Sequence, residues 1–166
     1  MPAYETAGKS DEWYTPRYIF DALNEVFDLD PANGAIDGAH VPCRASYGAN
    51  GLEREWRGFV WLNPPFGNEA NKRLWLQKFF EHGNGIMLMP DRTSARWFQD
   101  YAPRATASCF VAPKIKFERA DGTVGKQPGT GTVLFASGER AHRAITRSRL
   151  GFIASSDLRW ESEVWA

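Results

Sequence analysis

Four apolar residues, Phe59-Val60-Trp61-Leu62, run straight into Asn63-Pro64-Pro65-Phe66-Gly67, and this junction constrains the fold more than any other stretch of the 166-residue chain. The run is short and uninterrupted, as expected of a strand buried on both faces in a helix-covered sheet. The prolines forbid its continuation, because they fix φ at about −65° and supply no N–H. Asn63 is held extended by the proline that follows it. What results is a stiff turn at a strand end, presenting an amide side chain, the bare carbonyl of Pro64 and the ring of Phe66.

Around this junction strands and helices alternate. Thr15-Pro16 opens a helix, Thr as cap and Pro at the first helical position, with Ile19, Phe20, Leu23, Val26 and Phe27 on one face. A short strand over 27–30 ends at Pro31. Residues 32–51, rich in Gly, Ala, Asn and Pro, read as a long loop. A helix is expected from Glu69 to His82, with Leu76, Phe79 and Phe80 inward and Gly83 as its stop. Gly85–Met89 forms the next strand, ended by Pro90, and Ser94 caps a short helix carrying Trp97, Phe98 and Tyr101. Strands over 108–112, 114–119 (leading into an Asp121-Gly122 turn), 132–136 and 151–154 complete the pattern. No repeat, low-complexity tract or linker divides the chain, so residues 1–166 read as one α/β domain, a mixed sheet flanked by helices. In such sheets the ligand crevice lies at the carboxyl ends of the strands. Asp30-Pro31 and Asn63-Pro64-Pro65-Phe66 both fall there.

Composition narrows the class. Apolar residues make up 43% and charged residues 24%, which excludes a wholly disordered chain. Cys43 and Cys109 are too few for a disulfide scaffold, and His40, His82 and His142 have no metal-ligand spacing, so no metal site is expected. No signal peptide or membrane-length apolar run is present, which points to a soluble protein of the cytoplasm. The charges balance overall but not locally: residues 1–85 carry 8 Lys+Arg against 12 Asp+Glu, and residues 86–150 carry 11 against 5. A basic segment in a neutral chain suits one polyanion-facing surface, and equally an uneven solvated one.

The turn has a chemistry of its own. The Asn63 amide oxygen and the Pro64 carbonyl can accept the two hydrogens of an exocyclic amino group while Phe66 stacks on a flat base. Holding those hydrogens directs the nitrogen lone pair toward an incoming methyl group, by positioning and charge stabilisation and with no covalent nucleophile. A four-residue match taken singly is also an ordinary turn.

Asn63-Pro64-Pro65-Phe66 after an apolar strand resembles the (D/N/S)-PP-(Y/F/W) motif of amino-group methyltransferases that use S-adenosylmethionine. More closely, the chain resembles the small phage-encoded DNA N6-adenine methyltransferases, the phage Dam family. Five elements match in order: Asp11-Glu12-Trp13-Tyr14-Thr15-Pro16; Phe27-Asp28-Leu29-Asp30-Pro31-Ala32; Gly51-Leu52 through Trp56 to Asn63-Pro64-Pro65-Phe66-Gly67; Met89-Pro90-Asp91-Arg92-Thr93 with Trp97-Phe98; and Lys114-Ile115-Lys116-Phe117. The resemblance implies a Rossmann-like, class I methyltransferase fold with no separate target-recognition domain. It implies that Trp13, Thr15 and Pro16 line the methionine end of S-adenosylmethionine, that Asp30 binds its ammonium group and that Pro31 shapes the turn beneath. Asn63, Pro64, Pro65 and Phe66 would hold the target adenine, flipped out of duplex DNA. Three departures stand out: Ala32–Gly38 lacks a compact G-x-G loop, Asn50 stands where the family often has Asp, and Pro113-Lys114 replaces a Gly-Arg. Asn50 can still hydrogen-bond the cofactor's adenine.

Several of these residues carry a second reading. Asp30 before Pro is also a common turn former, and Trp13 is also a core aromatic. Arg92 and Thr93 either contact the flipped nucleotide or cap the next helix. Lys114 and Lys116 alternate with Ile115 and Phe117, as phosphate contacts or as the outer side of any half-exposed strand. The expected partner is DNA, read by loops within 32–50 and 118–131 with relaxed or very short specificity. Rival functions are methylation of cytosine N4 or a protein glutamine amide, and a non-catalytic DNA- or cofactor-binding module.

Overall fold

The computed structural model of the chain describes residues 13–33, 41–65, 67–119, 122–125 and 129–155. Asp11, Glu12, Gly34–His40, Phe66 and Asp121 lie outside the described residues, as does the side chain of Trp13.

Among the described residues, five strands form a mixed sheet in the order β2 (Val60–Leu62), β3 (Gly85–Pro90), β6 (Thr132–Ser137), β4 (Ala107–Val111) and β7 (Gly151–Ser155). β2 and β3 run parallel, and the remaining neighbours are antiparallel. Residues 27–30 add a short parallel stretch beside β2. Leu29 bridges Val60, while Phe27 and Asp30 bridge Cys43 and Ser46 on the far side. The backbone amides of Phe27 and Asp30 donate to Pro42 and Ala45, at 2.8 and 3.0 Å.

Alternation along the strands separates two apolar layers. Trp61, Ile86, Leu88, Cys109, Leu134 and Ala136 face α1 (Arg17–Leu23) and α4 (Glu139–Ser148). Val60, Leu62, Met87, Met89, Val133 and Phe135 face α2 (Glu69–His82) and α3 (Arg96–Tyr101). Placing β2, β3 and β6 in the middle, with every residue buried, explains why their sequences are continuous apolar runs. A second, two-residue ribbon pairs β1 (Trp13–Tyr14) antiparallel with β5 (Glu118–Arg119). No helix among the described residues is long and apolar enough to cross a membrane.

Helix α2 spans the expected Glu69–His82: the Asn68 side chain accepts from the Asn71 amide, and Gly83 closes the helix with φ 76°. Five expectations change. Pro16, not Thr15, occupies the cap position of α1, and no side chain caps that helix. The first helix stops at Leu23, because Asn24 turns left-handed with φ 50°, so Val26 is exposed and outside it. Ala95, not Ser94, occupies the cap position of α3. Pro90 is the last residue of β3 and lies opposite Thr132. Of the strand expected over 114–119 only Glu118–Arg119 pairs, since its partner β1 is two residues long. Helix α4 was not expected at all. Its buried side is a thin stripe of Ala141, Ala144 and Ile145, and Arg140 and Arg147 fix it by both bonding Glu25, at 2.7 Å each.

Candidate active site at the carboxyl edge of the sheet

The stretch 27–30, β2 and β3 are parallel, so Asp30, Asn63 and Asp91 all emerge at one edge of the sheet. β4 runs antiparallel to β6, which is antiparallel to β3, so the chain leaving Val111 toward Pro113–Phe117 emerges at that same edge. The topology therefore gathers the motif residues that lie far apart in sequence.

At the centre is Asn63. In β2 the odd-numbered Trp61 points to the α1 side, and Asn63 continues that face. Its Nδ2 donates to Thr15 Oγ1 at 3.4 Å. Thr15 is itself buried, 4% exposed. This bond turns the amide oxygen of Asn63 away from Thr15 and leaves it available as an acceptor. Pro64 is buried and Pro65 exposed. Asn71 Nδ2 donates to the Pro65 carbonyl at 3.4 Å, bracing the turn from the helix that follows. No described residue donates to the Pro64 carbonyl. Two acceptors thus stand at one strand end. Trp13 reaches this region through the pairing of β1 with β5, and Pro16 is buried at the start of α1.

Asp30 occupies the neighbouring strand end and is only 3% exposed. Its Oδ1 accepts from the Ala32 amide at 3.1 Å. Burial pushes its carboxyl from an ordinary 3.8 up to about 7, against the opposing pull of that amide. Burial first, and then the charge of Asp30, also raise the thiol of Cys43. Three residues on, Asn33 Oδ1 is buried and has no partner among the described residues. A buried carboxyl and a buried amide oxygen in one turn are a donor-poor, acceptor-rich lining. That set fits an ammonium group or another multiple N–H or O–H donor, and with it the amino-acid end of S-adenosylmethionine.

Pro31 is buried, and the backbone of the 50–51 turn abuts it. A Cβ placed on Gly51 would lie 1.9 Å from the Pro31 carbonyl oxygen. Asn50 adopts φ 59°, its side chain exposed, and its carbonyl accepts from the Glu53 and Arg54 amides. The structure therefore brings Asn50 beside the Asp30 turn, although 19 residues separate them in sequence.

Arg92 and Thr93 follow β3 at the same edge, Arg92 half-buried and Thr93 exposed. The Thr93 amide donates to the Asp91 carbonyl at 2.9 Å, and its own carbonyl accepts from Gln99 of α3. Neither side chain caps α3, whose cap makes no side-chain bond. Lys114 and Lys116 are exposed on either side of the fully buried Ile115, the alternation expected of them. Lys114 Nζ reaches the Gly129 carbonyl at 3.4 Å. His82 bonds the Gly58 carbonyl and His142 the Thr106 carbonyl. Among the described residues no group of three His, Cys, Asp or Glu is placed to hold a metal.

Two polar residues of this region were not singled out from sequence: Asn33 and Lys72. Lys72 falls in register with Trp75, Leu76 and Phe79, the buried side of α2. A cation inside that apolar stripe was the available signal.

The comparisons with known proteins give this mixed α/β chain a class, the methyltransferases. The model of the family described as DNA N-6-adenine-methyltransferase (Dam) matches residues 5–162. The chain belongs to that family. It is also 32% identical over 74 residues to the protein named "Putative methyltransferase YfdM" of Escherichia coli (strain K12), covering 39% of this chain and 81% of that protein. No solved structure matches the chain.

Proposed function

We propose that this protein transfers the methyl group of S-adenosylmethionine to N6 of adenine in DNA, using a single Rossmann-like domain. The observation that carries the reading is the pair of open acceptors, Asn63 Oδ1 and the Pro64 carbonyl, beside the buried carboxyl of Asp30 at one sheet edge. Bound there, S-adenosylmethionine supplies a methyl group on a positively charged sulfur, an electrophile that needs no further activation.

The protein's own residues do the rest. Asn63 and Pro64 each accept one N6–H of the target base, which fixes the amino group and aims its lone pair. As the carbon–nitrogen bond forms and the methyl–sulfur bond breaks, positive charge grows on N6, the two acceptors strengthen their hold on its hydrogens, and one of those protons then passes to solvent. Thr15 keeps the Asn63 amide facing the right way round. Asp30 receives the cofactor's ammonium group, with Asn33 as a second acceptor in the same turn. Pro31 and the 50–51 backbone shape that turn, with Asn50 toward the cofactor's adenine. Phe66 stacks on the base and Trp13 and Pro16 wall the methionine end. The base reaches the pocket by leaving the helix, at a cost of a few kcal/mol. Arg92, Thr93, Lys114 and Lys116 contact the DNA strand around it. Loops read the DNA, with specificity that is relaxed or limited to a very short site.

The test incubates the protein with S-adenosylmethionine and unmethylated DNA, digests to nucleosides and analyses them by mass spectrometry beside Asn63→Ala. N6-methyladenine is expected, falling by about 10²- to 10³-fold in the variant, the scale of losing one charge-stabilising group. N4-methylcytosine would keep the mechanism and overturn the base. No methylated nucleoside would overturn the reaction itself.

A further inference from the structure

Thr132 opens β6 and is only 4% exposed, and its hydroxyl is shut from solvent without a hydrogen-bond partner among the described residues. The neighbours account for this. Leu134 and Ala136 belong to the apolar layer under α1, so the even-numbered residues of β6 face that side. There Thr132 lies opposite Pro90 of β3. Val111, one residue beyond the Phe110–Val133 pair, flanks it on β4. Leu134 is the next residue of its own strand on the same face. All three are buried and apolar. A hydroxyl walled by hydrocarbon bears a desolvation cost with no bond to offset it, and native chains keep few such groups. Valine has the same shape and would fill the position without that cost.

On the fourth side the sheet ends, because Pro90 is the last residue of β3 and Thr132 the first of β6. This is the edge that bears Asn63. Continuing β2 from Trp61, Asn63 falls level with Leu88 of β3 and so with Leu134 of β6, on the same α1 face. Thr132 therefore stands two strands across from Asn63 and one same-face position nearer the rim. A strand spacing of about 4.8 Å and a rise of about 3.3 Å per residue put their Cα atoms roughly 12 Å apart. Two side chains and one heterocyclic base bridge such a span. The backbone at Thr132 is also held from the opposite face. The Asp91 amide donates to the Gly131 carbonyl at 3.1 Å, and the Asp91 carboxyl fills the space that a Gly131 Cβ would need. The hydroxyl is thus carried on a fixed strand end, where a group that positions a ligand is most precise.

We infer that Thr132 is a further base-binding residue, its hydroxyl donating to a ring nitrogen of the target base beside the amino group. The inference rests on the reading that Asn63 and Pro64 hold the amino group of an adenine. Adenine carries an acceptor nitrogen on either side of that group, N1 and N7, and a hydroxyl turns freely to donate to one of them. The bond exists only with the base in place. The same hydroxyl therefore weakens the empty protein and strengthens the complex.

The experiment compares the full chain with Thr132→Val and Thr132→Ser. The substrates are oligonucleotides bearing the site that wild type methylates, with adenine, 1-deazaadenine or 7-deazaadenine at the target position. Melting temperature without ligands and kcat/KM for methyl transfer are measured. Thr132→Val melts about 2–4 °C higher, because an unsatisfied hydroxyl is gone. Its kcat/KM on adenine falls about tenfold, while Thr132→Ser stays close to wild type. One analogue costs wild type about tenfold and costs Thr132→Val nothing further, which names the nitrogen. An unchanged kcat/KM in Thr132→Val overturns the inference and leaves the hydroxyl a structural group. A wild type that accepts both analogues as readily as adenine overturns it without reference to any variant. Equal analogue losses in wild type and Thr132→Val overturn it as well. A wild type that methylates no adenine overturns the inference together with the reading beneath it.

Discussion

Replacing Asp30 by Asn removes a buried carboxyl at the carboxyl edge of the sheet and converts its ionisation into a measurable pH dependence. In the folded chain the group titrates at about 7, against 3.8 when unburied. Between those values the native state holds a proton that the unfolded state has released. Unfolding stability then falls as pH rises, by about 1.4 kcal/mol per pH unit. Over the interval this comes to roughly 4 kcal/mol, fully present below pH 3.8 and fully lost above pH 7. Asp30→Asn lacks the effect. Urea unfolding of both proteins from pH 4 to pH 8 should therefore show wild type losing stability relative to the variant, with the difference levelling off beyond pH 7. Because only the change with pH is read, a constant offset from the substitution does not matter. S-adenosylmethionine, by bringing a cation to the carboxylate, should raise the melting temperature of wild type more at pH 8 than at pH 5. Parallel stability curves for the two proteins would refute the assignment of this titration to Asp30.

Three further outcomes follow from the same geometry. Thr15→Val should lower turnover by up to about tenfold, the worth of one neutral hydrogen bond, while Thr15→Ser restores it; steady-state methylation with paired melting curves separates this from a loss of fold. Gly51→Ala drives a methyl group into the Pro31 carbonyl and should destabilise the chain by about 3 kcal/mol, roughly 10 °C in melting temperature. Glu25→Gln withdraws the shared anion from Arg140 and Arg147 and should cost about 1–2 kcal/mol, less in high salt, as read by urea unfolding.

The parts legible in sequence were those whose signals were local. Asn68, fourteen helical residues and Gly83 define α2 without help from the rest of the molecule. Phe59–Leu62 and Gly85–Met89 could be read as buried strands because their centres are apolar on both faces. Where tertiary contact decides, sequence was insufficient. Helix α4 is made by its clamp on Glu25 as much as by Ala141, Ala144 and Ile145, and nothing nearby in sequence announces that partner. The strand expected over 114–119 is short because β1 offers only two residues to pair with. At the site, the motif order placed Asp30 and Asn63 at strand ends, and the structure puts those ends on one edge. The bond from Asn63 to Thr15 spans 48 residues and was invisible to any local pattern. Lys72 was hidden for a different reason: periodicity assigns it to a buried face, where a lysine is easily passed over.

The ribbon of β1 and β5 has a dynamic consequence. Thr15 lies between a ribbon of two residue pairs, separate from the five-stranded sheet, and the start of α1, whereas Asn63 extends a strand of that sheet. Local opening free energies track that difference, so amide exchange at Tyr14 and Arg119 should run orders of magnitude faster than at Leu88 or Leu134. Opening of the ribbon should then loosen Thr15, and with it the bond to the Asn63 amide, before the five-stranded sheet gives way.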